Sequence, residues 1–493
     1  MRRRDFLRLS LLASGSSLSG SSLSAARALA SPDTTTPTLR LTINPRRTGN
    51  PIPPNFTGLS YESAQLSDPT FFSAENTALI SFVRRLGASG VLRIGGNTSE
   101  YCFWTPKPSA KQAAPEAVGP DTGKQPAAPR QITPLAVRNL AAFIDATGWQ
   151  LIYGLNMGSG TAEAAADQAD YVMKNLGEKL IAFQLCNEPD LFAKNGLRKP
   201  GYNFDQFATE WQHFYDVIRK RVPNAPFAGP DTAFNNEWLR PFAGKFRNEV
   251  KFLSQHYYAE GPPTDPSMTL DRLLRPNPKL EAEFAGMQQT KKETGLPFRL
   301  AETNSCYSAG KQGVSDTFAS ALWAPDLMYQ LATAGGEGIN FHGGGDGWYT
   351  PIAGSLEQGF SARPIYYGML LFAQAGAGQL VDTTIDHLPQ APLLTAYALR
   401  TESGWLKAAV FNKNQDRAVR LTIEAGQRVT RATALSLTAP AIDATTGVTL
   451  GGAAVGLSGT WSASEESPLP AARGAVLIDL PAASGALITL ENE

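Results

Sequence analysis

From Phe56 onward, short apolar runs alternate with longer stretches of helical spacing, and nearly every run stops at a polar or glycine-rich position. The runs fall at residues 56–61, 91–95, 151–155, 181–185, 227–229, 252–256, 298–301 and 338–341. Strands alternating with helices predict βα units around a parallel sheet. Helices are expected between them, for example over 161–176, 204–222 and 280–294. The second carries Phe207, Trp211, Phe214, Tyr215 and Ile218 at three- and four-residue spacing, a core-facing stripe. Eight strands predict an α/β fold, a closed (β/α)8 TIM barrel over residues 55–375, whose reactive face lies at the carboxyl ends of the strands. A doubly wound sheet is not supported, because no G-x-G-x-x-G follows a strand.

Beyond about Gly376 the pattern changes. Runs at 393–399, 405–411, 418–423, 429–435 and 475–480 are short, alternating and separated by Gly, Asn, Asp and Pro. They predict an accessory antiparallel β-sandwich over 376–493. Residues 39–43 alternate in the same way, and Pro45, Pro51, Pro53 and Pro54 are expected to stop that strand. A single strand is not stable alone, so residues 31–54 are read as a linker and a strand that joins the sandwich. Residues 102–133 form a Pro/Ala/Lys/Gln-rich insert, read as a mobile or extended loop or a lid, with simple disorder the commoner outcome for such a composition, and with Tyr101 and Trp104 either stacking on a ligand or anchoring the loop. At the N-terminus, Arg3-Arg4-Asp5-Phe6-Leu7-Arg8 and the Ser/Gly/Ala/Leu stretch after it resemble a twin-arginine export signal. Its core is too short and polar to span a bilayer. Residues 1–30 are therefore set apart from the fold, and a periplasmic or extracellular location is expected.

Composition narrows the function by exclusion. Lys+Arg and Asp+Glu both number 44, and no dense basic run follows the leader, so neither nucleic acid nor a membrane surface is an expected partner. The histidines, His213, His256, His342 and His387, include no close pair, which argues against a metal-dependent hydrolase; no cofactor is expected. Cys102, Cys186 and Cys306 allow at most one bridge, and buried small hydrophobes are their commoner role.

The chemistry concentrates in two stretches, Phe183-Gln-Leu-Cys-Asn187-Glu188-Pro189-Asp190 and Phe298-Arg-Leu-Ala-Glu302-Thr-Asn-Ser-Cys-Tyr307. Each is an apolar run that ends in a glutamate. Two acids on one rim are the minimum for cleaving a glycosidic bond, one protonating the leaving oxygen and the other attacking or stabilising the anomeric carbon. Beside them, Glu62, Gly96-Asn97, Asn156, Asp231, His256-Tyr257-Tyr258 and Gly343-Gly344-Gly345-Asp346 stand just past the other strands. Such a ring of donors and acceptors suits a many-hydroxyl ligand.

Asn187-Glu188-Pro189 resembles the strand-four signature of clan A retaining glycosidases. Glu302-Thr-Asn-Ser-Cys-Tyr307 and Gly229-Pro230-Asp231 resemble, more narrowly, glycoside hydrolase family 79, the β-glucuronidases and heparanases. The resemblance implies a carbohydrate substrate and retention of configuration, with Glu302 as nucleophile and Glu188 as acid/base. It implies further that Asn187 bonds the sugar 2-hydroxyl and that Tyr258 donates to Glu302. Spacing alone leaves retention and inversion open, since the choice turns on the distance between the acids. A glucuronide carboxylate needs partners once it leaves water, and Tyr307-Ser308-Ala309-Gly310 is read as a nest of backbone amides for it, with Tyr349 adding a hydroxyl. That stretch is more glycine-rich in the resembled family, so Ser308-Ala309 is a departure that leaves the amides in place. Asn97 and His256 are expected to face the sugar; Glu62 either accepts sugar hydroxyls or caps its strand. Without a basic run beside the rim, exo-acting hydrolysis of terminal β-linked glucuronic acid is preferred over endo-acting cleavage of a sulfated chain. A barrel that binds carbohydrate without cleaving it is the remaining alternative.

Overall fold

The computed structural model describes residues 37–107, 129–386, 393–472 and 474–492. The proposed export segment, most of the insert and His387 lie outside the described residues. Among those described, no helix is long and apolar enough to cross a membrane.

Eight parallel strands form the barrel: Thr57–Glu62, Val91–Gly95, Gln150–Gly154, Leu180–Gln184, Ala228–Thr232, Phe252–Glu260, Phe298–Cys306 and Ile339–Gly343. The first pairs with the eighth. Between the fourth and fifth, a bridge from Phe183 to Phe227 closes the ring, the Phe183 amide donating to the Pro226 carbonyl at 2.9 Å. Helices cover the outside, as they do where parallel strands are buried on both faces. Helix Phe204–Arg221 is typical: Asn203 and Gln206 form a capping box at its start, and Phe207, Trp211, Phe214 and Ile218 are buried on its inner stripe. Trp211 meets Phe246 of the next unit, ring centroids 4.3 Å apart.

Strands six and seven run well past the apolar residues that mark them in the sequence, reaching Glu260 and Cys306. Their ends are polar yet buried, Gln255, His256, Thr303, Asn304 and Ser305 all being withdrawn from solvent. Glu302 therefore lies within a strand rather than after one.

Four of the remaining strands pair as two small ribbons, Cys102–Trp104 with Arg130–Ile132 and Ile352–Ser355 with Gly359–Ala362, and the others form one eleven-stranded sheet curled around a second core that includes Leu41, Val410, Leu421, Val476 and Ile488. It is not purely antiparallel. Strand Thr38–Ile52 lies between Gly378–Ile385, antiparallel to it, and Val419–Glu424, parallel to it. Of the prolines expected to end this strand, Pro53 and Pro54 do follow its last residue, Ile52, whereas Pro45 and Pro51 fall at two register shifts, between Asn44 and Thr48 and between Thr48 and Pro51. Barrel and sheet meet where Tyr329 stacks on Tyr397 at 4.9 Å. Beside them a buried Lys413–Asp326 pair at 2.7 Å also takes the Tyr397 hydroxyl at 2.8 Å. The three cysteines are buried and unbridged.

Candidate active site

The carboxyl ends of the strands deliver a connected set of buried polar groups around Arg93, which sits mid-strand in Val91–Gly95. Its Nη1 donates to Glu302 Oε2 at 2.5 Å, and Nη2 donates to Asp231 Oδ2 at 2.7 Å and Asn187 Oδ1 at 2.9 Å. Nε donates to Gln184 at 3.0 Å. Burial alone would discharge the guanidinium, but Asp231, Glu302 and Glu62 outweigh it and raise its pKa.

Local backbone geometry aims the acids. The pairing of strands six and seven shifts register between Leu300 and Glu302, and that of strands five and six shifts between Pro230 and Thr232. Bulges of this kind turn a side chain away from its regular face. Among the described residues, four of the six non-glycine positions with positive φ, Glu188, Asp231, Ser308 and Ala309, also lie on this rim. Such backbone is unfavourable by about 1–3 kcal/mol per residue and concentrates at working sites.

Glu302 is buried and opposed by cations. Burial would raise its pKa, yet His342, His256, Arg93 and the Tyr258 hydroxyl, which donates at 2.7 Å, hold it well below the usual carboxylate range. His256 is the second buried cation. Burial works against its charge, but Asp231 at 3.1 Å and Glu302 at 3.9 Å push the imidazole up to about 10, so it is an imidazolium at neutral pH. Its Nδ1 lies 3.0 Å from Glu188 Oε1. Two cations, Arg93 and His256, thus face two anions, Asp231 and Glu302, and Glu188 stands beside them, part-exposed toward the rim. An oxygen of Glu188 and an oxygen of Glu302 lie within 4.8 Å of each other. Glu188, His256 and Glu302 are close enough to ligate a cation, but Arg93 already occupies Glu302 and His256 carries its own charge.

Residues 134–329 match the N-terminal domain of glycosyl hydrolase family 79, and residues 396–487 match that family's C-terminal β domain. The chain belongs to glycoside hydrolase family 79. It is 27% identical over 395 residues to a β-glucuronidase of Aspergillus niger, covering 73% of this chain and 69% of that one. A β-glucuronidase of Neurospora crassa is 25% identical over 437 residues, covering 78% and 76%. A solved 4-O-α-L-rhamnosyl-β-D-glucuronidase of Fusarium oxysporum shares the fold with a TM-score of 0.72 at 18% identity, over 92% of this chain and all of that one. A family 51 arabinofuranosidase of Xanthomonas axonopodis pv. citri shares it at 0.70 and 15%, with the same coverage.

Against this family 79 frame, the expected site residues separate into groups. Asn187, His256, Tyr258, Glu188 and Glu302 converge on Arg93 or on one another. Asn97 borders them, accepting from Asn187 Nδ2 at 3.4 Å. Tyr258 is flanked by the rings of Tyr307 and Tyr349, at 6.4 and 6.2 Å. Ser308, Ala309 and Gly310 have φ of 57°, 69° and 86° in succession, a left-handed turn that points successive amides the same way. None of these three amides has a protein acceptor among the described residues. Gly310 is required there, since a Cβ would lie 2.7 Å from the Tyr349 nitrogen.

Of the two roles open for Glu62, the geometry carries capping: its carboxylate accepts the amides of Asn97 at 3.2 Å and Thr98 at 2.8 Å. Trp104 likewise anchors rather than reaches for substrate, donating to Asp167 at 2.6 Å and packing on Tyr171. Arg93, Gln184 and His342 are not among the residues expected from sequence, and Asp231 is expected only as a rim position and as part of the Gly229-Pro230-Asp231 motif. The available signal for Arg93 is a lone cation inside a five-residue apolar strand, a burial that only paired anions make tolerable.

Proposed function

We propose that this family 79 chain is an exo-acting, retaining β-glucuronidase that removes terminal β-linked glucuronic acid. The separation of the two acids carries the mechanism. Retaining sites hold their carboxyl groups about 5–5.5 Å apart, and inverting sites roughly 6.5–9.5 Å to admit a water; an oxygen of Glu188 within 4.8 Å of an oxygen of Glu302 leaves no such gap between them and supports the former. Glu302, ionised and gripped by Arg93 and Tyr258, attacks the anomeric carbon while Glu188 gives its proton to the leaving oxygen. Glu188 then takes a proton from water, which attacks the same carbon and releases Glu302. The β-glucuronidase relatives support the substrate, and the amides of Ser308, Ala309 and Gly310 supply a reason for it: they can receive a carboxylate without a paired lysine or arginine.

The test compares an aryl β-glucuronide with the matching aryl β-glucoside. Bonds to a charged group contribute about 1.5–3 kcal/mol each, so kcat/KM is expected to favour the glucuronide by at least about 100-fold. Equal values would remove the carboxylate nest from the reading.

Export through residues 1–30 belongs to the same proposal. The pair Arg3-Arg4 before a weakly apolar stretch is the supporting feature. Changing both to lysine is expected to keep the enzyme in the cytoplasm of a host with twin-arginine transport, seen by fractionation; unchanged export would refute that signal.

A further inference from the structure

One buried acid beside the site takes no part in the reaction described above. Glu100 lies in the turn after the second strand and is 2% exposed. Its Oε1 accepts the amide of Asn187 at 2.7 Å, and its Oε2 accepts the amide of Gly158 at 2.5 Å. One carboxyl group therefore joins the ends of strands two, three and four. Burial pushes it up to about 8, with the amides of Asn187 and Gly158 pulling the other way. Placing an acid here is unfavourable, which makes it a candidate for a working role.

What it holds is the peptide immediately before Glu188. Asn187 is fixed at its amide by Glu100 and at its side chain by Arg93. Glu188 itself is in the left-handed region, φ 48°, with its amide on the Asp231 carbonyl at 2.9 Å. A non-glycine residue keeps such backbone only where its surroundings over-determine it. The far side is equally fitted: a Cβ on Gly158 would lie 2.5 Å from Glu100 Oε2, and Arg198 clamps the Gly158 carbonyl at 2.7 Å.

We infer that Glu100 is a positioning residue for the acid/base: by gripping the Asn187 peptide it aims the Glu188 carboxyl at the glycosidic oxygen. This rests on the acid/base assignment of Glu188. In Glu100→Gln one acceptor becomes a donor that opposes an amide N–H, so the Asn187 peptide is free to turn and proton delivery suffers while Glu302 is untouched.

The experiment measures kcat/KM, which reports the first displacement, across β-glucuronides of graded leaving-group pKa. General acid catalysis contributes about 10²–10⁴-fold. Glu100→Gln is expected to lose on the order of 10–100-fold with an alkyl leaving group and less than about 3-fold with dinitrophenol, which needs no proton. Gly158→Ala, which crowds the same carboxyl from the other side, is expected to steepen the dependence in the same direction and serves if Glu100→Gln does not fold. A uniform loss across leaving groups in both variants, or no loss, overturns the inference. Glu188→Ala is measured in parallel. If it steepens the dependence and the other two do not, the inference alone fails; if it does not, the acid/base assignment fails and the inference with it.

Discussion

Glu302→Ala is expected to lose on the order of 10⁴-fold or more in kcat, as removal of a nucleophile does elsewhere. The loss is chemical rather than structural. Arg93 keeps its bonds to Asp231, Asn187 and Gln184, so the polar layer retains an anion for its cation. Neither neighbouring acid can replace the missing one: Asp231 is committed to Arg93 and His256, and Glu188 stands across from Glu302 at the separation that brackets a sugar. Azide supplied in solution can enter the space left by the carboxylate, attacking from the face Glu302 used. The product is then an α-glucuronyl azide, inverted relative to the substrate, and its anomeric configuration is read by NMR. A variant that turned over at the wild-type rate would end the nucleophile assignment.

The barrel was legible in the sequence because a strand covered on both faces shows as an unbroken apolar run. All eight such runs overlap a barrel strand. Where the pattern fell short, a polar interior was the cause. Thr303 and Asn304 lie inside a strand yet look like loop residues, because the barrel mouth replaces apolar layers with a hydrogen-bonded network. The strand Gly378–Ile385 escaped notice for a related reason: its Gln, Asp and Thr residues hide the alternation. Pairing partners far apart in the chain, such as Thr38–Ile52 beside Val419–Glu424, depend on curling of the whole sheet, which no local pattern records.

The same division runs through the site. Glu188 and Glu302 were legible because each ends an apolar run within a recognisable motif. Arg93 was not, since it interrupts such a run, and a pattern search treats the interruption as noise. Glu100 looks like an ordinary loop acid until the fold brings the Asn187 amide to it, and the motif that holds Asp231 says nothing of its pairing with Arg93. A residue whose partners all come from other strands leaves no local trace, whereas one held by its own turn, such as Ser308 or Gly310, leaves a short motif.

Glu188→Ala is expected to separate from Glu302→Ala by its pattern rather than by its size. Losing general acid catalysis lowers kcat/KM by about 10²–10⁴-fold for a leaving group that needs a proton, and much less for dinitrophenol. The second displacement slows for every substrate, because no base remains to activate water, so a glucuronyl-enzyme on Glu302 accumulates and shows as a burst of released phenol. Azide needs no base. It is expected to restore turnover by attacking that intermediate from the face opposite Glu302, giving a β-glucuronyl azide of retained configuration. Retained azide here and inverted azide from Glu302→Ala assign the two roles independently. If the configurations were exchanged between the variants, so would be the roles of the two glutamates, although their separation across the sugar would still require a double displacement.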